Sequence, residues 1–150
     1  MTAVLSLGSN LGDRRAHLRA GLAVLRPAAV SSVWETAPVG GVEQADFLNV
    51  VALLDADATQ AWALAQQAES DAGRVRERRW GPRTLDVDVV LAPPPVPPGL
   101  VVPHPRAHER AFVLAPWLEL DPAAVLPGRG PVAELLAAVG TVGVRRTGPP

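Results

Sequence analysis

The sequence contains no cysteine and no tyrosine, and all 14 of its basic residues are arginine. Without cysteine there can be no disulfide framework, no thiolate nucleophile and no cysteine zinc site. Without lysine there can be no Walker A loop, no Schiff base and no lysine general base, so phosphate chemistry would rest on arginine, a metal ion and backbone amides. No uninterrupted apolar run reaches the roughly 20 residues of a membrane span. The opening stretch MTAVLSLGSN carries no basic segment before its short apolar run, so it reads as a strand rather than a signal peptide. A soluble, cytoplasmic monomer without a membrane partner is expected. A net charge of -1 and a pI near 6.3 argue against electrostatic coating of nucleic acid. At 150 residues the chain suits one domain with one core. That domain is expected over residues 1–144, with 145–150 as a disordered tail.

Hydrophobic spacing outlines an alternation of elements. Ala3 to Leu7 form an apolar run that ends at Gly8-Ser9-Asn10, read as a strand-to-helix turn, and Leu11, Leu18, Leu22 and Leu25 then repeat as one helical face. Val30 to Thr36 and Phe47 to Leu53 read as strands joined by a long loop, Ala37 to Asp46, with Pro38, Gly40 and Gly41 in it. Asp57 or Thr59 can cap a helix reaching about Gly73, with Trp62, Ala65, Glu69 and Ala72 in phase. A strand follows over Thr84 to Leu91, then PPPVPPG, which reads as a stiff surface connection rather than a docking motif. Helices over Ala107 to Leu118 and Val132 to Val139 complete the pattern. The order strand, helix, strand, strand, helix, strand is that of the split βαβ unit. The expected fold is therefore α+β, a ferredoxin-like antiparallel sheet with helices packed on it and extra C-terminal helices. Fold alone names no activity.

The chemistry concentrates between residues 74 and 91. On a strand, Asp86 and Asp88 point to one side with Thr84, while Leu85, Val87 and Val89 point to the other. Two carboxylates side by side repel each other, and a hard divalent cation with oxygen ligands relieves that repulsion. Just upstream, Arg74, Arg76, Arg78, Arg79 and Arg83 against Glu77 leave a local charge of +4, punctuated by Trp80, Gly81 and Pro82. Guanidinium groups make bidentate contacts with phosphate oxygens. Arginines that close over a polyphosphate while aspartates hold the metal beneath it fit phosphoryl transfer. His104 sits between two prolines, and with only His17 and His108 besides and no cysteine it cannot anchor a protein zinc site.

In LGSNLGDR (7–14), ETAPVGGVEQADFLNVV (35–51), GRVRERRWGPRTLDVDVVL (73–91) and VPHPRAHERAFVL (102–114) the sequence resembles the 6-hydroxymethyl-7,8-dihydropterin pyrophosphokinases of folate biosynthesis. The four blocks keep the order seen in that family. The resemblance implies transfer of the β,γ-pyrophosphoryl group of ATP to the hydroxymethyl of a reduced pterin, with release of AMP and use of two magnesium ions. It implies that Asp86 and Asp88 bind the metal and that Arg74 and Arg83 engage the phosphates during transfer. Gln66, Glu69, Arg76, Val89, His104 and Arg110 would hold ATP, and Trp80 would close over the site. Phe47 and Phe112 would sandwich the pterin, while Asn49 and the backbone of Thr36, Ala37 and Val39 read its hydrogen-bonding edge. A flat heterocycle suits aromatic walls. Gly99 and Val101 stand where the family often carries an arginine and a threonine near the nucleotide, and Glu77 where a basic residue is common.

Two other classes compete. A ferredoxin-like RNA-binding module could use the arginine loop and Trp80 for stacking, but the chain lacks paired strand aromatics for that purpose. A regulatory domain that binds nucleotide without turnover is the third reading.

Overall fold

A computed structural model describes residues 1–37, 46–73 and 84–150. In chain order they form β1 (Ala3–Ser9), α1 (Arg14–Leu25), β2 (Ala29–Val30), β3 (Val33–Thr36), β4 (Phe47–Leu54), α2 (Ala58–Asp71) and β5 (Asp86–Leu91). A 3-10 turn (Ala107–Glu109), α3 (Ala111–Leu120), β6 (Val125–Leu126), β7 (Gly130–Pro131), α4 (Val132–Val139) and β8 (Val144–Gly148) follow. Among the described residues a six-stranded antiparallel sheet runs in the order β5-β1-β4-β3-β8, and β2 pairs with β4. This is the α+β, ferredoxin-like arrangement that the element order implies.

Strand alternation divides the side chains between two faces. Leu5, Leu7, Val50, Val87 and Val89 meet Leu18 and Leu25 of α1 and Ala61, Ala65 and Ala68 of α2 in one core. From the opposite face Val4, Val51 and Val90 meet Val113, Leu114 and Trp117 of α3, with Leu126 and Val132, in a second. A fully buried leucine or valine contributes about 1.5–3 kcal/mol, so both faces of the sheet anchor it.

Several local details differ from the sequence reading, each for a physical reason. Gly8 and Ser9 do not turn but continue β1, paired with β4. The helix starts later, because Asp13 caps α1 by accepting from the Ala16 N–H at 3.1 Å, which leaves Leu11 exposed ahead of it. The expected strand over 30–36 is interrupted at Ser31, whose hydroxyl accepts from the Val51 N–H at 2.9 Å and so replaces a main-chain partner. The expected helix over 107–118 breaks at Arg110, which is extended at φ -109° and ψ 99°. The reading of 145–150 as a disordered tail is corrected by β8, which pairs along β3 from Val33 to Thr36. Its two arginines find acidic partners in Glu35 and Glu119, at 3.2 and 3.7 Å, which no local pattern reveals.

Other expectations hold. Asp57 caps α2 in a reciprocal capping box with Gln60, at 2.9 and 3.1 Å. The proline-rich connection is tied to the start of that helix: Ala58 N–H donates to the Pro93 carbonyl at 2.8 Å and Thr59 Oγ1 to that of Pro95 at 3.1 Å. These bonds satisfy donors that a helix N-terminus leaves open.

Gly21 sets the distance between α1 and the sheet. A Cβ there would lie 2.9 Å from Leu85 Cδ2 and 3.1 Å from Leu7 Cδ2. For alanine, a gain of about 1 kcal/mol in helix propensity opposes that crowding, whereas valine adds two more methyl groups with poorer propensity. Gly21→Val is expected to lower the unfolding free energy by about 2 kcal/mol, within the usual range for overpacking. A urea titration showing an unchanged midpoint would contradict this account of the packing.

Candidate active site

The register of β1 with its neighbours assembles a row of residues across the sheet. Gly8 lies opposite Asp86 on one side and Asn49 on the other. Asn49 is opposite Trp34, and Trp34 is opposite Arg146. In adjoining rows Ser6 sits between Asp88 and Val51, and Thr36 between Phe47 and Val144. Residues directly opposite one another share a face. Asp86, Asp88, Asn49, Phe47 and Thr36 therefore all project on the side of the sheet that carries α3.

Gly8 is the low point of that row. A Cβ there would meet Asn49 Oδ1 at 2.9 Å and Phe47 Cδ1 at 3.6 Å, so the neighbouring side chains lean over the glycine backbone. Asn49 is buried, and its Nδ2 donates to Thr36 Oγ1 at 2.9 Å. The carboxamide is thus held in one orientation. Sequence reasoning took Gly8 for a turn residue. A glycine inside an apolar strand pattern, which marks close approach of another group, was the signal available.

At the sheet edge, Asp88 is about half exposed, and Arg110 Nη1 stands 3.6 Å from its Oδ2. The same guanidinium carbon lies 5.6 Å from the centre of the Phe112 ring. The break at Arg110 makes both contacts possible. His104 docks beside them: its N–H donates to the Val90 carbonyl at 2.8 Å, and its Nδ1 accepts from the Arg106 N–H at 3.1 Å. The neutral ring therefore carries its proton on Nε2. Burial lowers the His104 pKa below the ordinary imidazole value; Asp88 opposes the shift, and Arg110 and Arg106 add to it.

Glu69 and Gln66 lie one turn apart on α2. Glu69 Oε2 accepts from the Val87 N–H at 3.0 Å, so this carboxylate also fixes the edge strand that carries the aspartates. Gln66 is exposed. The Val89 side chain faces the first core, away from Asp86 and Asp88. Ala37 is exposed at the end of β3. Val39, Arg74, Arg76, Trp80 and Arg83 lie outside the described residues. Gly99 has a local reason to be glycine: its φ is +91°, and a Cβ would sit 3.3 Å from Trp62 Cη2.

Among the described residues no group of three His, Asp or Glu side chains converges as a metal cage. Two carboxylates at i and i+2 with solvent beside them fit magnesium, which takes one or two carboxylates and completes its shell with water and substrate phosphate.

A carboxylate pair on the edge strand, with a fixed amide and an aromatic ring in neighbouring rows, has the parts of a transferase that joins a phosphorylated donor to a flat acceptor. Residues 4–122 match the 7,8-dihydro-6-hydroxymethylpterin-pyrophosphokinase family. The chain is 47% identical over 154 residues to 2-amino-4-hydroxy-6-hydroxymethyldihydropteridine pyrophosphokinase of Mycobacterium tuberculosis, covering 89% of this chain and 81% of the relative. It is 44% identical to the enzyme of that name from Bacillus subtilis, over 79% of this chain and 77% of the relative. With that from Pseudomonas aeruginosa the identity is 40%, over 95% and 94% of the two chains. The chain belongs to the 7,8-dihydro-6-hydroxymethylpterin-pyrophosphokinase family. It is an ATP-dependent diphosphotransferase of folate biosynthesis. The comparisons give no support to the RNA-binding alternative.

The cluster around His104 makes an electrostatic prediction for the metal-free protein. Because the Asp88 charge favours the imidazolium, Asp88→Asn is expected to lower the His104 pKa further. Removal of the opposing positive charge in Arg110→Met is expected to raise it. An NMR titration of the imidazole signals reads both shifts, and the absence of either would overturn this arrangement of charges.

Proposed function

We propose that the row through Gly8 is where the pyrophosphoryl group of ATP meets the hydroxymethyl oxygen of 6-hydroxymethyl-7,8-dihydropterin. One observation carries this reading: Asp86, Gly8 and Asn49 lie in a single register row, so the carboxylates and the fixed amide are one and two strands apart on one face. In the reaction the hydroxymethyl oxygen bonds to the β-phosphorus and releases its proton to solvent, the bond from that phosphorus to the α,β-bridging oxygen breaks, and AMP leaves. Asp86 and Asp88 would hold two magnesium ions, whose charge offsets that of the phosphates.

The chain's own residues supply positioning. Asn49, locked by Thr36, would present fixed polar atoms to the pterin edge, with backbone groups of Thr36, Ala37 and Val39 beside it. Phe47, leaning over Gly8, would lie against one face of the ring and Phe112 against the other. Arg110 is only partly occupied by Asp88 and can turn to a phosphate oxygen. His104, neutral and with a proton on Nε2, can donate one hydrogen bond to ATP. Gln66 and Glu69 would line the nucleotide side with Arg76, and Val89, whose side chain is buried in the first core, would offer only main-chain atoms there. Arg74 and Arg83 would bear on the moving phosphates and Trp80 would close the site.

The enzyme would work as a cytoplasmic monomer on small molecules, without nucleic acid or membrane. No helix among the described residues is long and apolar enough to cross a membrane.

Incubation with ATP, magnesium and the pterin followed by nucleotide separation is expected to yield AMP in step with product. ADP in its place would refute the reading. Asp86→Ala and Asp88→Ala are expected to fold normally and to lose at least about 100-fold in turnover, since each removes a ligand of transition-state charge neutralisation. Wild-type turnover in either would sink the metal assignment. Gly8→Ala is expected to push Asn49 off Thr36 and weaken pterin binding about tenfold, the equivalent of one buried polar contact, with ATP binding unchanged. Calorimetric titration with each ligand distinguishes the two effects.

A further inference from the structure

We infer that the C-terminal strand β8 is a working wall of the pterin site, and that Gly143 and Arg146 are positioning residues for acceptor binding. This rests on the assignment of Thr36, Ala37 and Asn49 to that site. The strand lies beyond residue 122, where the family match ends.

Three observations converge on it. First, the Ala37 N–H donates to the Gly143 carbonyl at 3.1 Å, and Val144 pairs with Thr36. The backbone that would read the pterin edge is thus held on its outer side by this strand. Second, Arg146 stands opposite Trp34, which stands opposite Asn49. Arg146 Nε donates to Ser32 Oγ at 2.9 Å and lies 3.7 Å from Glu119 Oε1. Glu119 also accepts from Trp34 Nε1 at 3.1 Å and from the Ser32 N–H at 2.8 Å. One carboxylate on α3 therefore fixes the indole beside Asn49, and Arg146 holds that carboxylate. Third, among the described residues β8 adds no side chain to either core. Its arginines are mostly exposed, and exposed ion pairs contribute little to stability. A strand that does little for the core yet bonds the pocket's outer edge is placed to act on ligand geometry.

Gly143 is also constrained. Its φ is +78°, a region that L-residues with branched side chains avoid. Valine there would have to rotate the peptide whose carbonyl receives the Ala37 N–H.

The test uses the full chain with Gly143→Val, Arg146→Ala, Arg146→Lys, Asn49→Ala and the fully exposed control Val142→Ser. Gly143→Val and Arg146→Ala are expected to raise the pterin KM about three- to tenfold, the range of one net hydrogen bond. ATP KM and kcat should stay within about twofold and the melting temperature within about 3 °C, as for a surface change. Arg146→Lys should recover part of the loss, and Val142→Ser should match wild type. An unchanged pterin KM in both primary variants overturns the inference, as does an equal rise for ATP and pterin together with a lower melting temperature. If Asn49→Ala itself leaves the pterin KM unchanged, the acceptor-site assignment fails. A rise in Asn49→Ala alone isolates the failure to β8.

Discussion

Sliding β1 by one residue against either neighbour would turn Leu5 and Leu7 out of the first core and carry Gly8 away from both Asp86 and Asn49. Side chains alternate along a strand, so a slip of one position exchanges its faces. The register of this strand is therefore fixed by burial, and the geometry of the site follows from it. Leu5 and Leu7 are fully buried among α1, α2 and the neighbouring strands, and losing them from the core would cost several kcal/mol. That apolar lock holds polar groups that have little reason of their own to lie in line. Asp86 is brought opposite Gly8 by leucines and valines facing the other way.

The polar side of the sheet is arranged against local preference. Asp86 and Asp88 repel each other on one strand, and Asp has poor strand propensity. The contact between Arg110 and Asp88 is long at 3.6 Å and half exposed, so it offsets little of this. Gly8 gives up side-chain packing and backbone entropy in the middle of a strand. The proposed function would account for these costs better than stability does: it would need carboxylates accessible to a cation, and a floor free of Cβ across which Asn49 and Phe47 lean.

The amount legible in the sequence follows from the range of each interaction. Apolar runs marked β1 and β4, which are buried on both faces, alternation marked β5, and helical spacing or an apolar stretch marked α2 and α4, because burial must show in composition. The Asp57 capping box is likewise local. The facing of Asp86 and Asp88 away from Val87 and Val89 came from alternation alone. The breaks at Ser31 and Arg110 escaped notice because their causes are tertiary: Ser31 answers the Val51 N–H, and Arg110 turns toward Asp88 and Phe112. The strand at 144–148 was missed for the same reason, since its arginines pair with Glu35 and Glu119, both distant in sequence. The assignments of Phe47, Asn49, His104 and Phe112 came from likeness to a family. Spacing by itself offered them only as ordinary core or loop residues.

One sheet face can serve as both core and site because polarity changes along its strands rather than across them. On β1 the residues facing α3 run Val4, Ser6, Gly8, and on β4, in the matching direction, Leu53, Val51, Asn49, Phe47. On β5, Val90 gives way to Asp88 and Asp86. At the apolar end Val113, Leu114 and Trp117 of α3 cover the sheet. At the polar end the helix is only starting, and what it presents there is Arg110 and Phe112. A helix extended by another two turns would have buried Asp86 and Asp88, and burying a carboxylate is costly. The extended backbone at Arg110 avoids that burial, stopping the apolar layer at the boundary where charge begins and leaving the carboxylates open to solvent.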